Sequence, residues 1–516
     1  MKQNLFKVPS GAVGKNYVRE ITRLISAWNS NTNLKDIAWK CIMVMPALLL
    51  QKPSGNSKSK DFKQALERRF VWWQQGDLLK LLKESEFIQK RLKSSTPSKN
   101  IEAVSKKFSN LMKAGKINAA VKLLTANMDG GVLPLTEETM TLLQEKHPEP
   151  SELATEAVID RTPEEIHPVV FDGVDEESVR KAAMSTNGGA GPSSMDADGW
   201  RHILLSRNFK EANKELRGEL AICVKKLATE KVDIFYEKDH PTSNLEAYLA
   251  CRLVPLDKSP GLRPIGVGEV LRRIIGKVFM SAVKDDVQEV CGSMQVCVGQ
   301  AGGCEAAIHA MRQVFQDEET DALLLVDASN AFNSINRITM LENIKRLCPM
   351  AYVYAYNCYS VHARLFILGG KEMYSQEGTT QGDPPAMAFY GLGILPLLLL
   401  LKTADEEYLE EVPNENEQIQ INESQKKTKN KQAAFADDLN GGSKVKRMQA
   451  WFDLIQKHGP KYGFNLEASK CWIIVKPSML EEAQIAFEGT EVKFTTSGKK
   501  LLGTSVGSSD FKAVCE

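Results

Sequence analysis

Ala433-Ala434-Phe435-Ala436-Asp437-Asp438-Leu439-Asn440-Gly441-Gly442 is the stretch on which the fold turns. A short apolar run meets two adjacent carboxylates and then small and polar residues. That order predicts strand, tight turn, strand, with the acids at the turn. Adjacent carboxylates repel, so the pair is comfortable in solvent or beside a cation. A hard divalent ion such as Mg²⁺ prefers carboxylate oxygen and leaves room for substrate phosphates. An exposed acidic hairpin turn accommodates the same residues, and a motif this short does not choose between the two. The choice rests on whether a third carboxylate and a nucleotide pocket lie upstream.

Working back from the pair, residues 402–432 are polar, with a run of Glu and then Lys-Lys-Thr-Lys-Asn-Lys, and suggest an inserted, exposed loop. Before it, Gly378-Thr379-Thr380-Gln381-Gly382-Asp383-Pro384 leads into an apolar helix from Pro384 to Leu401. Asp followed by Pro is a good helix start, and Gly382 lets the backbone approach a ligand closely. The helix is too short and too interrupted, at Pro396, to read as a membrane span, so it is expected to be buried core. Further back, Asp321 to Asp327 reads as a buried central strand ending in an exposed acid, preceded by an amphipathic helix over 304–317. Helices are expected at Arg337–Leu347 and Tyr352–Tyr359, and a hairpin begins at Leu365. Tyr248 to Leu256 is strand-like. The turn Asp257-Lys258-Ser259-Pro260-Gly261, a second strand Leu262 to Val267 and a helix from Glu269 to Val290 follow. Arg252, Lys258 and Arg263 place three cations on this hairpin. They suit a triphosphate, and equally a solvated basic hairpin.

Beyond the acid pair, Val445, Met448, Trp451, Phe452 and Ile455 mark a helix closed by Gly459-Pro460. Gly463-Phe464-Asn465-Leu466 and Lys470 lead to a strand over Cys471–Val475, and Leu501-Leu502-Gly503 lies in the final segment. At the other end, residues 1–50 are expected to be helical, with Ile37–Leu50 broken at Pro46. Lys52 to Lys116 is basic and carries Val71-Trp72-Trp73. Nucleic-acid contact with base stacking and an amphipathic helical pair with Trp in its core both fit. The loop Gly188 to Gly199 is glycine-rich but matches no phosphate-binding fingerprint.

The 516 residues allow two or three domains, and 43% hydrophobic with 25% charged residues is an ordinary globular balance. A net charge of +1 gives no global steering towards nucleic acid, so any basic surface is local. Ten scattered cysteines without a C-x-x-C pair, and no signal-peptide core, point to an intracellular protein of nucleus or cytoplasm.

Taken in order, the R-P-I-G hairpin, L-V-D-A-S-N-A-F, T-Q-G-D-P-P, F-A-D-D and G-F-N-L with a following Lys form a distinctive series. Over about residues 185–510 the chain resembles the reverse transcriptase domain of non-LTR (LINE-type) retrotransposons, and more distantly group II intron reverse transcriptases. The resemblance implies an α+β right-hand polymerase whose fingers and palm contain a small antiparallel palm sheet, preceded by a mostly helical N-terminal region. Its parts would be a partly basic region over 1–145, an acidic linker over 146–184, fingers over 185–300 and palm over 301–516. The thumb is expected to be absent or truncated, and no endonuclease is expected ahead of the polymerase. By the same resemblance Asp327, Asp437 and Asp438 hold two Mg²⁺, with Mn²⁺ as a substitute. Arg252, Lys258 and Arg263 would grip the triphosphate, and Gln381 and Gly382 would lie along base and template. Phe332 matches the steric gate that favours dNTP over rNTP, Lys470 a lysine that aids proton transfer to pyrophosphate, and Leu502-Gly503 the primer-grip turn. RNA template, DNA primer and dNTP are the partners implied, with no membrane. The 402–432 insertion and Pro385 depart from the pattern. They leave open a decayed or domesticated protein that binds RNA or primer–template without extending it. Phe332 disfavours an RNA-dependent RNA polymerase.

Overall fold

Ala322–Val326 is buried along its whole length because it is the middle strand of a five-stranded sheet. The computed structural model describes residues 4–53, 57–94, 101–113, 115, 117, 120, 131–165, 167–258, 261–407 and 430–515. Thirteen strands are defined within them. β1 (Phe235–Glu237) and β2 (His240–Thr242) form a small hairpin. β3 (Cys251–Asp257), β4 (Leu262–Gly268), β6 (Ala363–Ile367) and β7 (Glu372–Ser375) form a sheet in the order β4-β3-β6-β7. β5 is Ala322–Val326. With β8 (Lys431–Phe435), β9 (Asp438–Ser443), β10 (Trp472–Val475) and β11 (Lys493–Thr495) it makes the order β11-β10-β5-β9-β8. β12 (Gly498–Leu501) and β13 (Thr504–Gly507) pair with each other.

Alternation along β5 divides the core. Ala322, Leu324 and Val326 enter the main hydrophobic cluster with residues of helices Ala386–Glu407 and Val445–His458. Leu323 and Leu325 enter a second cluster with helix Gly303–Gln316 and the β12–β13 hairpin. A strand covered on both faces must be apolar at every position, and this one is. The protein is therefore a mixed α+β fold, but its sheets are not wholly antiparallel. β11 joins β10 in parallel across helix Leu480–Ala486, and β6 joins β3 in parallel, because each follows a crossover rather than a tight turn.

Three local expectations change. Helix Lys35–Leu49 passes through Pro46 without the expected break, whereas helix Ala386–Glu407 runs through Pro396 as expected. Each proline forfeits a backbone bond, but burial of Met45, Leu48 and Leu49 in one case, and of Leu395, Leu397 and Leu398 in the other, outweighs it. Tyr248 is in a short helix, Glu246–Leu249, and the strand begins only at Cys251. The edges of the 402–432 segment are regular: 402–407 complete a helix and Lys431 opens β8, while 408–429 lie outside the described residues. The window Ala386–Thr403 is long and apolar enough to cross a membrane, yet 72% of it is buried inside the protein, as a core helix would be.

The N-terminal helices share the main cluster. Helix Ala12–Asn29 packs on helix Lys210–Thr229, and Trp39 lies 4.8 Å from Tyr248, ring centre to ring centre. The acidic stretch after residue 146 is strapped along helix Arg337–Leu347: Ile159 N–H donates to Asn343 (2.9 Å), and Asn343 donates to the Ala157 carbonyl (3.0 Å).

Candidate active site

The β8–β9 turn is made by Ala436 and Asp437, with Phe435 and Asp438 paired across its base. Ala436 has φ +55°, a left-handed conformation that costs an L-residue about 1–2 kcal/mol. Gln295 supplies the compensation. Its Oε1 accepts from Ala436 N–H (2.7 Å) and its Nε2 donates to the Ala436 carbonyl (3.1 Å), with the side chain wholly buried. Val296 N–H donates to the Ala434 carbonyl (2.9 Å), extending the clamp. Gly391 leaves space for it, since a Cβ there would lie 2.8 Å from Gln295 Cγ. Sequence reasoning missed Gln295. The one signal available was a lone polar side chain in the run Met294-Gln295-Val296-Cys297-Val298.

β5 and β9 run antiparallel with Val326 opposite Leu439. Carried one residue further, that register sets Asp327 opposite Asp438. Asp327 leaves the end of β5 at the surface, and the G-F-N-L stretch fixes its backbone. Glu467 N–H donates to the Asp327 carbonyl (3.0 Å), Ser329 N–H donates to the Asn465 carbonyl (2.7 Å), and Ala328 bridges Leu466. Gly463, at φ +76°, is required here, because a side chain would collide with the Ser334 carbonyl. Lys470 stands at this end of the sheet, paired with Glu467 at 3.6 Å.

The acids feel one another. Burial, then Asp437, then Asp327 push the Asp438 carboxyl up to about 6, although it lies at the surface. Asp437 is also raised, first by burial and then by Asp327, and Lys258 and Arg263 pull it back. Both cations at the tip of the β3–β4 hairpin therefore act on the acid turn. Arg252 does not join them. It pairs with Val267, whereas Arg263 pairs with Leu256, four residues along β3, or about 13 Å at the usual strand rise. Arg252 instead faces Gly189 of the glycine-rich loop and lines a cleft of about 1420 Å³ shared with helix Lys35–Leu49 and residues 132–135. Ser259 and Pro260 lie outside the described residues.

Phe332 sits in the short helix Ala331–Ser334, and its ring stacks on Tyr390 with centroids 4.8 Å apart. Its carbonyl accepts from Thr379 N–H (2.6 Å), and Gly378 packs so closely that any side chain would strike that carbonyl. The 378–385 loop is anchored by Asp383, which is buried against Arg272 (2.5 Å) and the Tyr359 hydroxyl (3.0 Å). Gln381 and Gly382 are thereby left exposed at its tip, with Gly382 at φ +92° and open space around it. Leu502 and Gly503 turn the β12–β13 hairpin at φ +48° and +90°, and Cys304 Sγ reaches the Leu502 carbonyl at 3.8 Å. In the N-terminal basic region, Trp72 and Trp73 pack on the main core, Trp73 Nε1 donates to Glu20 (2.9 Å), and buried Arg69 donates to the Leu49 and Gln51 carbonyls. These side chains act structurally. The side chains of Lys93 and Lys107 lie outside the described residues.

Among the described residues, no three His, Cys, Asp or Glu side chains are gathered closely enough to enclose a metal ion. The donor set nevertheless suits a hard cation. Its members are carboxylates whose mutual repulsion a cation would relieve, and Mg²⁺ keeps several waters and needs only one or two protein carboxylates. The site is thus an acidic sheet end faced by two cations and flanked by a stacked aromatic pair. No family model matches the chain, and no curated protein matches it.

Proposed function

We propose that the chain is an RNA-directed DNA polymerase of retrotransposon type, extending a DNA primer with dNTP along an RNA template. One observation carries the reading: the β5–β9 register sets Asp327 against Asp438 at the end of a sheet, and Lys258 and Arg263 act on the adjoining Asp437. Mg²⁺ held by Asp327, Asp437 and Asp438 would lower the pKa of the primer 3′-hydroxyl and neutralise the departing pyrophosphate. Lys258 and Arg263 hold the triphosphate from the hairpin tip, because they are the cations that act on Asp437. Phe332, part-exposed beside the acids, excludes a ribose 2′-hydroxyl. Gln381 and Gly382 offer an open loop tip to base and template, Lys470 stands by the pyrophosphate, and the Leu502-Gly503 turn supports the primer end.

Primer extension on poly(rA)/oligo(dT) with Mg²⁺ or Mn²⁺ tests the reading. Extension that disappears in Asp437→Asn supports it, and no extension by the native chain under either ion refutes it.

The insertion over 402–432, which departs from the polymerase pattern, favours a second reading, a protein that grips primer–template without extending it. That protein would bind primer–template equally well before and after Asp437→Asn, with no product in either case.

A further inference from the structure

We infer that Tyr390 is a positioning residue for sugar selection: it is the shelf that holds the Phe332 ring at the height where it excludes a 2′-hydroxyl. This rests on the polymerase reading of the same site.

Phe332 is held from three sides by backbone. Asn330 turns left-handed before it, Thr379 donates to its carbonyl, and Gly378 is packed against it. These contacts constrain the backbone and leave the ring torsions as the main freedom. Tyr390 limits those, with an interplanar angle of 27° at 4.8 Å, an offset stack of the kind that fixes ring orientation. Tyr390 is itself confined by its surroundings. It is 1% exposed and lies one turn into helix Ala386–Glu407, whose start is fixed by the buried Asp383–Arg272 pair. The stack is next to the acids: Gly391, the following residue, packs against Gln295, whose amide holds both backbone groups of Ala436 in the acid turn.

The hydroxyl has no hydrogen-bond partner among the described protein atoms. A buried, unpaired hydroxyl gains the fold nothing, so the ring is the part that works here. A smaller aliphatic residue at 390 would leave a gap under Phe332. The ring would drop into it and open the space beside the sugar C2′.

The test is single-nucleotide insertion on poly(rA)/oligo(dT), comparing UTP with dTTP in the full chain. Tyr390→Leu is expected to raise the UTP/dTTP efficiency ratio by about tenfold, the same change expected of Phe332→Ala. Tyr390→Phe keeps the stack and leaves the ratio where it is. In the double variant Tyr390→Leu adds nothing to Phe332→Ala, because one residue acts through the other. If Tyr390→Leu does not fold, Tyr390→Met carries the same expectation. A core-filling role alone would lower the melting temperature without moving the ratio. An active chain whose ratio responds to Phe332→Ala but not to Tyr390→Leu overturns this inference and leaves the polymerase reading intact, as does a loss of selectivity in Tyr390→Phe. A ratio unmoved by Phe332→Ala removes the gate and its shelf together. A native chain that inserts neither nucleotide refutes the polymerase reading itself.

Discussion

Asp438 carries a charge that its surroundings resist. A carboxyl raised in the folded state to about 6 contributes stability below its unfolded value and loses it as pH rises through 6. Asp438→Asn should therefore melt about 1–2 °C above the native protein at pH 7.5, and the gap should close as the pH falls towards 4. Mg²⁺ should raise the melting temperature of the native protein more than that of the variant. Melting curves between pH 4 and 8 decide it, and a variant less stable than the native protein at pH 7.5 would sink the account. Gln295 is the complementary case. Gln295→Met keeps the volume but strands the N–H and carbonyl of Ala436, and should cost about 2–4 kcal/mol in urea unfolding. A loss under 1 kcal/mol would mean that water replaces the amide. The turn that carries the acids was legible in the sequence, because an apolar run, two charges and then small polar residues mark strand, turn and strand. Gln295 was not, because nothing local distinguishes a buried clamp from a polar residue in a loop.

The hairpins and the central strand could be read from alternation and turn residues, and β5, β8 and β9 fall within a residue or two of their expected places. Their pairing could not. That Asp327 faces Asp438 depends on register between strands more than a hundred residues apart, which only the packed sheet defines. Pro46 misled for a related reason: it is a local breaker, and the burial that overrides it comes from other elements. Gly463 shows the reverse, a local feature with a long-range cause. Its turn holds the G-F-N-L stretch against Ser334. Gly463→Ala should push that stretch off Asp327 and destabilise the protein by about 2 kcal/mol or more, combining a strained φ with a collision. Chemical denaturation would measure it, and a neutral substitution would show that the stretch is not tied to the acid.

At the scale of the molecule, helical faces were legible and their partners were not. The resemblance implies a region of its own over residues 1–145, yet Trp28, Trp39 and Leu49 belong to the same core as Tyr248, Phe279 and Leu324. Removing residues 1–53 should expose the buried face of helix Lys210–Thr229 and abolish the cooperative melt of the remainder, as followed by calorimetry or circular dichroism. A remainder that still melts sharply near the native temperature would show that the core divides. The packing of helix Ala12–Asn29 against helix Lys210–Thr229 also sets a schedule for biosynthesis. The first helix leaves the ribosome about 180 residues before the surface that covers it, a wait of about 10–40 s at ordinary elongation rates. During that interval Val18, Ile21, Leu24 and Ile25 lack the cover of that helix, and a nascent-chain chaperone has a binding site that the finished protein no longer displays.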